Sequence, residues 1–479
     1  MILGAGIGGS HSAYRLAPIY GDHLCIFELE NDVGGRARDV DYDGNSSEAY
    51  ATTSVAPTGA IRFSGAQPVV KQLIDELNIS YYQYDYQNFL IKARGKLYSS
   101  FSEMCAKSYT DLNCTDDANG LNVQDHLFVK LIAEYHRNAS NLYRFANVNA
   151  FSRAVLGDEA TEYLRDSYRF RGDFLNVDVY SYLEYSSQEW NLTGPLYYPR
   201  EGLSQIVKRM ISNATSSHNA RLYLNEEVLQ IDENLNNDYL FSIETSTYKV
   251  YGKQLIAAID PSGWTNIHGS IGNEIKSDQH FQSILPIKTI VINNYWPERW
   301  WEQNSSLGFN IDRAWTKQNC ISFIEILSQH PEKREQNLTR TVYDDGSCID
   351  TWSTLIHRPS QEDLIEELLR GLRTIFTDMH IPRPTKTFTY IWPAAWYYQK
   401  SNSHRTNKEI IRWASKPIAR FERHQLSLVG DGFFIDRPGW IDGAIKSSLI
   451  SLHSQFNFKN MCYLNDAAIN GTFCTGDFI

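Results

Sequence analysis

A chain of 479 residues exceeds what one small core can hold, so several packed regions are expected. Its 42% hydrophobic and 21% charged residues describe a globular protein, and no window nears the roughly 20 apolar residues of a membrane helix. The net charge of −11, with no basic run, excludes nucleic acid as a partner.

In chain order, residues 1–3 form a strand leading into Gly4-Ala5-Gly6-Ile7-Gly8-Gly9, then a helix over 10–16 and a second strand over 23–28. Helical spacing returns at 67–77 and dominates 121–185, and Leu203, Ile206, Val207, Met210 and Ile211 mark a further amphipathic helix. Strands are expected at 227–232, 239–244, 254–259, 287–293, 321–327 and 387–391, with a strong helix at 362–376 between the last two. A final strand at 426–429 precedes a helix from about 441 to 456. The first strand starts so close to Met1 that an upstream stretch, with any signal peptide, is expected to precede the given sequence.

Seven cysteines show no zinc spacing, so no metal site is expected. Cys25, in the apolar run 24–27, reads as a buried free thiol. The other six form the local couples 105/114, 320/348 and 462/474, one of 15 connectivities that sequence leaves open. Asn-x-Ser/Thr triplets stand at Asn45, Asn78, Asn113, Asn138, Asn191, Asn213, Asn304, Asn337 and Asn470. Composition alone yields about four or five, so the count favours a secreted, N-glycosylated protein.

The first glycine turn is a pyrophosphate-binding pattern: Gly4, Gly6 and Gly9 allow backbone approach, and the helix start offers N–H donors. Glu28 lies 19 residues after Gly9 at a strand end, where a carboxylate holds an unphosphorylated ribose, as in FAD or NAD. Gly34-Gly35-Arg36 then provides a second pyrophosphate element that an NAD dehydrogenase does not need. The stretch from Glu28 to Arg36 resembles the flavin-containing amine oxidase family.

Gly59-Ala60-Ile61-Arg62 resembles that family's L-amino-acid oxidase branch, in which the arginine forks onto the substrate carboxylate beside the flavin. An ordinary ion pair is the alternative role for Arg62. Lys288 matches the lysine that holds a water near flavin N5, against the alternative of an exposed strand-end lysine. Val228 fits the strand whose backbone meets adenine. From Gly430 and Asp431 to Gly439, Trp440, Ile441 and Ala444 the chain resembles the family's last flavin motif. Its acid meets the ribityl–phosphate region, and its helix start faces flavin N1 and O2. Trp392, Trp396 and Tyr397, with Trp440, are candidates for an aromatic substrate wall or for core packing. Two positions depart from the pattern: Asp32 replaces an arginine, and Gln67 replaces the histidine of the snake-venom type.

The resemblance, nearest to the secreted mollusc glycoproteins aplysianin, achacin and escapin, implies an α/β fold with an α+β substrate part. A discontinuous Rossmann-type FAD-binding domain is expected at 1–62, 197–285 and 420–460. A mixed-sheet substrate domain is expected at 63–110 and 286–419, a helical insertion at 111–196 and a C-terminal tail at 461–479. The implied cofactor is FAD. The implied partners are an amino acid or amine, dioxygen and, as an open option, a second copy in a homodimer. The implied reaction turns L-amino acids, cationic ones included, into keto acid, ammonia and antimicrobial hydrogen peroxide, with Arg62 and Lys288 as catalytic groups. The alternatives are a polyamine or monoamine oxidase, or a secreted glycoprotein of this fold without turnover.

Overall fold

The apolar pairs Ile2–Leu3, Ile26–Phe27 and Ile256–Ala257 are each almost wholly buried, as parallel strands covered on both faces require. In this computed structural model they lie side by side. The five-stranded parallel sheet runs Arg221–Tyr223, Cys25–Phe27, Ile2–Leu3, Leu255–Ala257, Leu426–Leu428. The structure describes the chain except residues 45–55, 115–122, 169–171, 190–194, 235–237, 303–309, 317–319, 328–336, 404, 422, 435–438, 467–470 and 479.

The chain packs as two compact units. The first comprises Met1–Gln83, Glu184–Pro286 and Ala395–Ile479; the second comprises Tyr84–Leu183 and Ile287–Ala394. In the first, helices Ile7–Tyr20 and Ile441–Phe456 pack on each other. Between them His11 Nδ1 and Ser12 Oγ both meet Ser448 Oγ, at 2.9 and 2.7 Å, so the polar groups of this buried seam satisfy one another. Leu16, Val207, Ile256 and Leu449 belong to the surrounding core.

The second unit carries most of a seven-stranded mixed sheet. Its order is Lys386–Gln399, Ile284–Tyr295, Leu338–Asp345, Phe323–Ile326, Arg313–Thr316, Phe89–Ala93, Lys96–Tyr98. The pairing is antiparallel except between Arg313–Thr316 and Phe89–Ala93 among the registers seen. Ile290, Ile324 and Val342 share a core with Leu364, Leu368 and Leu372 of helix Glu362–Ile375, whose first turn carries Glu362 and Asp363 where the helix dipole favours acids. Arg313, Glu325 and Arg340 stand opposite one another on adjacent strands, all buried, so Glu325 is held between two guanidinium groups.

The three local cysteine couples are disulfides: Cys105–Cys114, Cys320–Cys348 and Cys462–Cys474. Cys25 is the free cysteine, but it is only half-buried. It opens its strand opposite Arg221, between the buried Leu24 and Ile26. The strand expected at 387–391 runs on through Lys386–Gln399. Its Pro393 is tolerated because the strand forms an edge of the sheet order. No helix among the described residues is long and apolar enough to cross a membrane.

Candidate functional site

Gly6 caps helix Ile7–Tyr20 without a side-chain hydrogen bond, and no acid occupies the first turn. The first N–H groups of that helix therefore remain available to an outside acceptor. A Cβ at Gly6 would stand in open space, whereas one at Gly9 would run into the Gly4 carbonyl. The second glycine loop folds against the first: Gly34 N–H donates to Ala5 O at 3.1 Å, and Gly35 lies against Gly6. Gly34 and Gly35 sit at φ 134° and 55°, where a side chain would be strained. Glu28 closes the cradle, accepting from the N–H groups of Ala5 at 2.6 Å and Glu30 at 3.0 Å. Burial pushes its carboxyl up, and those backbone donors oppose the rise. An open space over an uncapped helix start, flanked by two side-chain-free loops, fits the pyrophosphate of a dinucleotide cofactor.

Arg36 leaves this cradle toward the last third of the chain. Its guanidinium forks onto Asp431, one arm at 2.8 Å, and donates to Ala395 O at 3.0 Å. Tyr397 lies under it at 5.3 Å and donates its hydroxyl to Asp260 Oδ1 at 2.7 Å. Burial works against the Arg36 charge, but Asp431, Tyr397 and Asp260 outweigh it and raise the pKa further. At Asp260 burial pulls upward, yet Arg36 and the surrounding donors hold the carboxyl below its usual range. Burial, with Asp260 beside it, drives the Tyr397 phenol well up, so this ring is a neutral donor. Gly430 precedes Asp431 and donates its N–H to Ser447 Oγ at 2.9 Å. Gly439 stands against Trp396, and Trp440 caps helix Ile441–Phe456 without a side-chain bond, with Ile441 and Ala444 buried in its first turn.

The segment before Arg62 is tied to the same motif. The N–H groups of Thr58 and Gly59 donate to Arg38 O, and Ala60 N–H donates to Arg36 O at 2.9 Å. Ile61 and the half-buried Arg62 follow, and Arg62 Nη1 reaches Tyr198 Oη at 3.3 Å. Tyr198 stacks on Tyr82, and Phe63, Tyr81 and Tyr197 form a second aromatic group on the same small sheet. Gln67 is buried, and its Oε1 accepts from Ser64 N–H at 2.9 Å, so it braces a turn where a histidine was the comparison. Asp32 pairs with Lys208 at 3.1 Å, so the departure there is matched by a charge of its own.

Val228 begins strand Val228–Glu233 in the first unit and is buried. Lys288 and Trp392 belong to the second unit. Lys288 is exposed on strand Ile284–Tyr295, while Trp392 is buried with Tyr390 at 4.2 Å between ring centroids. Asp260 and Tyr198 were not singled out from sequence. Asp260-Pro261, just after an expected strand, is a helix-capping signal, and the Asp260 side chain does cap the turn Pro261–Asn266. Tyr198 carries no such signal.

A profile of the flavin containing amine oxidoreductase family matches residues 12–451. Among solved structures, a double mutant of putrescine oxidase from a structure-based redesign of its cofactor binding is similar, with a TM-score of 0.65 at 14% identity. The match covers 93% of this chain and 96% of that one, and it shows an α/β fold with a parallel sheet and a mixed sheet. No curated protein sequence matches this chain.

Proposed function

The chain belongs to the flavin-containing amine oxidoreductase family, and from that premise we propose that it is an FAD-dependent L-amino-acid oxidase. The observation that carries this reading is Arg62, a guanidinium held at the end of a segment hydrogen-bonded along Arg36–Arg38. A carboxylate accepts two parallel N–H donors from such a group, which fixes a substrate's orientation in a way no lysine reproduces. When bound, FAD supplies the two-electron oxidation of the amine and passes the electrons to dioxygen, yielding hydrogen peroxide, while water releases keto acid and ammonia.

The chain's own residues bind and orient. Gly4, Gly6, Gly9, Gly34 and Gly35 would receive the pyrophosphate, Glu28 the adenosine ribose and the Val228 backbone the adenine. Gly430 and Asp431 would meet the ribityl–phosphate region, and Gly439, Trp440, Ile441 and Ala444 the ring end. Arg62 would hold the carboxylate, whereas Lys288 is exposed on its strand, as the alternative reading has it, and takes no role at the flavin. Trp396 and Trp440 would wall the substrate and exclude water, whereas Tyr397 is wholly buried beneath Arg36. In this reading the three-piece unit is the FAD-binding domain and the two-piece unit carries the substrate sheet. The net charge of −11 favours cationic amino acids.

An oxidase of amines without a carboxylate is the second reading, favoured by the likeness to putrescine oxidase. The purified protein should show flavin absorption and release peroxide with L-lysine or L-arginine. Peroxide with putrescine or spermine alone would decide for the second reading, and a colourless protein that takes up no FAD would sink both.

We also infer a secreted glycoprotein, supported by three disulfides and nine sequons. Asn78 is exposed in a left-handed turn at φ 53°, with Ser80 exposed beyond a buried Ile79. Asn337 instead accepts from Arg299 Nε at 3.1 Å, and Thr339 of its sequon is buried and bonded to Trp296. Glycopeptide mapping after expression through a secretory pathway should find glycan on Asn78 and none on Asn337. Asn45, Asn191, Asn304 and Asn470 lie outside the described residues.

A further inference from the structure

Helix Ile441–Phe456 holds an ion pair at its start. Asp442 and Lys446 are wholly buried, one turn apart, with carboxylate and ammonium at 2.6 Å. The Asp442 oxygens have no hydrogen-bond partner among the described residues, so the ion pair is what compensates them. The Lys446 ammonium lies 5.9 Å from the Phe434 ring and 5.2 Å from that of Phe473. Phe473 sits on the C-terminal hairpin, whose strands pair Cys462 with Cys474. Replacing such a pair by apolar residues is often neutral or stabilising, so its presence points to a role other than stability.

The pair's place in the helix suggests that role. Asp442 is in the first turn, where a carboxylate cancels the positive end of the helix dipole. Trp440 leaves that end without a side-chain cap, and Gly439 and Asp431 of the proposed cofactor motif precede it. We propose that Lys446 neutralises Asp442 from beneath, so that the helix start stays electropositive toward bound FAD and the flavin's reduction potential is set by this pair. Lys446 then acts through Asp442 and touches neither substrate nor cofactor. The inference rests on the reading that this helix start faces the flavin.

The test is spectroscopic titration of the FAD-loaded protein against a redox dye, for wild type, Asp442→Asn, Lys446→Met and the double variant. At a fixed poise, Asp442→Asn should raise the ratio of reduced to oxidised flavin and Lys446→Met should lower it. Each change should be on the order of tenfold for one uncompensated charge near the cofactor, and the double variant should return to within about twofold of wild type. If Lys446→Met no longer retains FAD, the double variant should restore retention, because the fault is the stranded charge rather than lost packing. Single-variant shifts of the same sign, no shift with FAD bound, or a double variant that fails to restore would each overturn the proposal. Peroxide release by the wild type would then still stand for the oxidase reading, so the two fail separately.

Discussion

Arg62→Ala is expected to cut kcat/KM for L-amino acids by about 10² to 10⁴, the worth of two charge-assisted hydrogen bonds to a carboxylate. The loss should fall on the specificity constant rather than on cofactor content, because Arg36, Arg38, Gly59 and Ala60 keep their backbone ties without the guanidinium. Flavin absorbance per protein is therefore the internal control and should stay at the wild-type level. Arg62→Lys should recover little, since an ammonium is a point charge and cannot fork. Tyr198→Phe should cost less than either, since it removes a contact at 3.3 Å and leaves the guanidinium in place. Turnover of amines without a carboxylate should be largely unaffected. An alanine variant that oxidises L-lysine within threefold of wild type would remove Arg62 from the carboxylate and shift the reading to the amine branch.

The parts of the site legible in sequence are those whose chemistry is local in the chain. The turn Gly4–Gly9 lies within one strand–helix–strand unit, and the acid Glu28 and the pair Gly34-Gly35 follow directly after it, so their spacing already suggests which groups meet. The same locality made the three disulfides guessable, each bridging 9, 28 or 12 residues. What escaped were contacts made by tertiary packing. Tyr397 meets Asp260 across 137 residues and Arg62 meets Tyr198 across 136, and no periodicity encodes either. The strands of the second unit's sheet were caught unevenly for a related reason. Arg313–Thr316 and Leu338–Asp345 bury arginines, threonines and aspartates, so their polarity hides their burial. Cys25 failed in the opposite sense, because an apolar run signals burial on average and a strand's first residue need not share it.

Arg36→Leu is the second large effect, and it separates the architecture of the cradle from its chemistry. The substitution strands Asp431, whose side chain is 7% exposed, without its countercharge. A fully buried broken pair costs about 3 to 5 kcal/mol; with 26% of the Arg36 side chain open to solvent, about 2 to 4 is the expected loss. Asp431→Asn should cost less, because Arg36 keeps Ala395 O and the Tyr397 ring, with the Asp260 charge still acting on it. The double variant, Arg36→Leu with Asp431→Asn, should then regain part of the stability that Arg36→Leu loses, since Asp431 no longer carries a stranded charge while Asp260 still lacks the guanidinium beside it. It should not regain FAD, because the guanidinium that would meet the pyrophosphate is still missing. Denaturant melts measure the first quantity and flavin absorbance the second, on the same samples. Recovery of FAD along with stability in the double variant would mean that Arg36 serves the cofactor only by holding Asp431. Full FAD content in Arg36→Leu itself would take the residue out of the cofactor site.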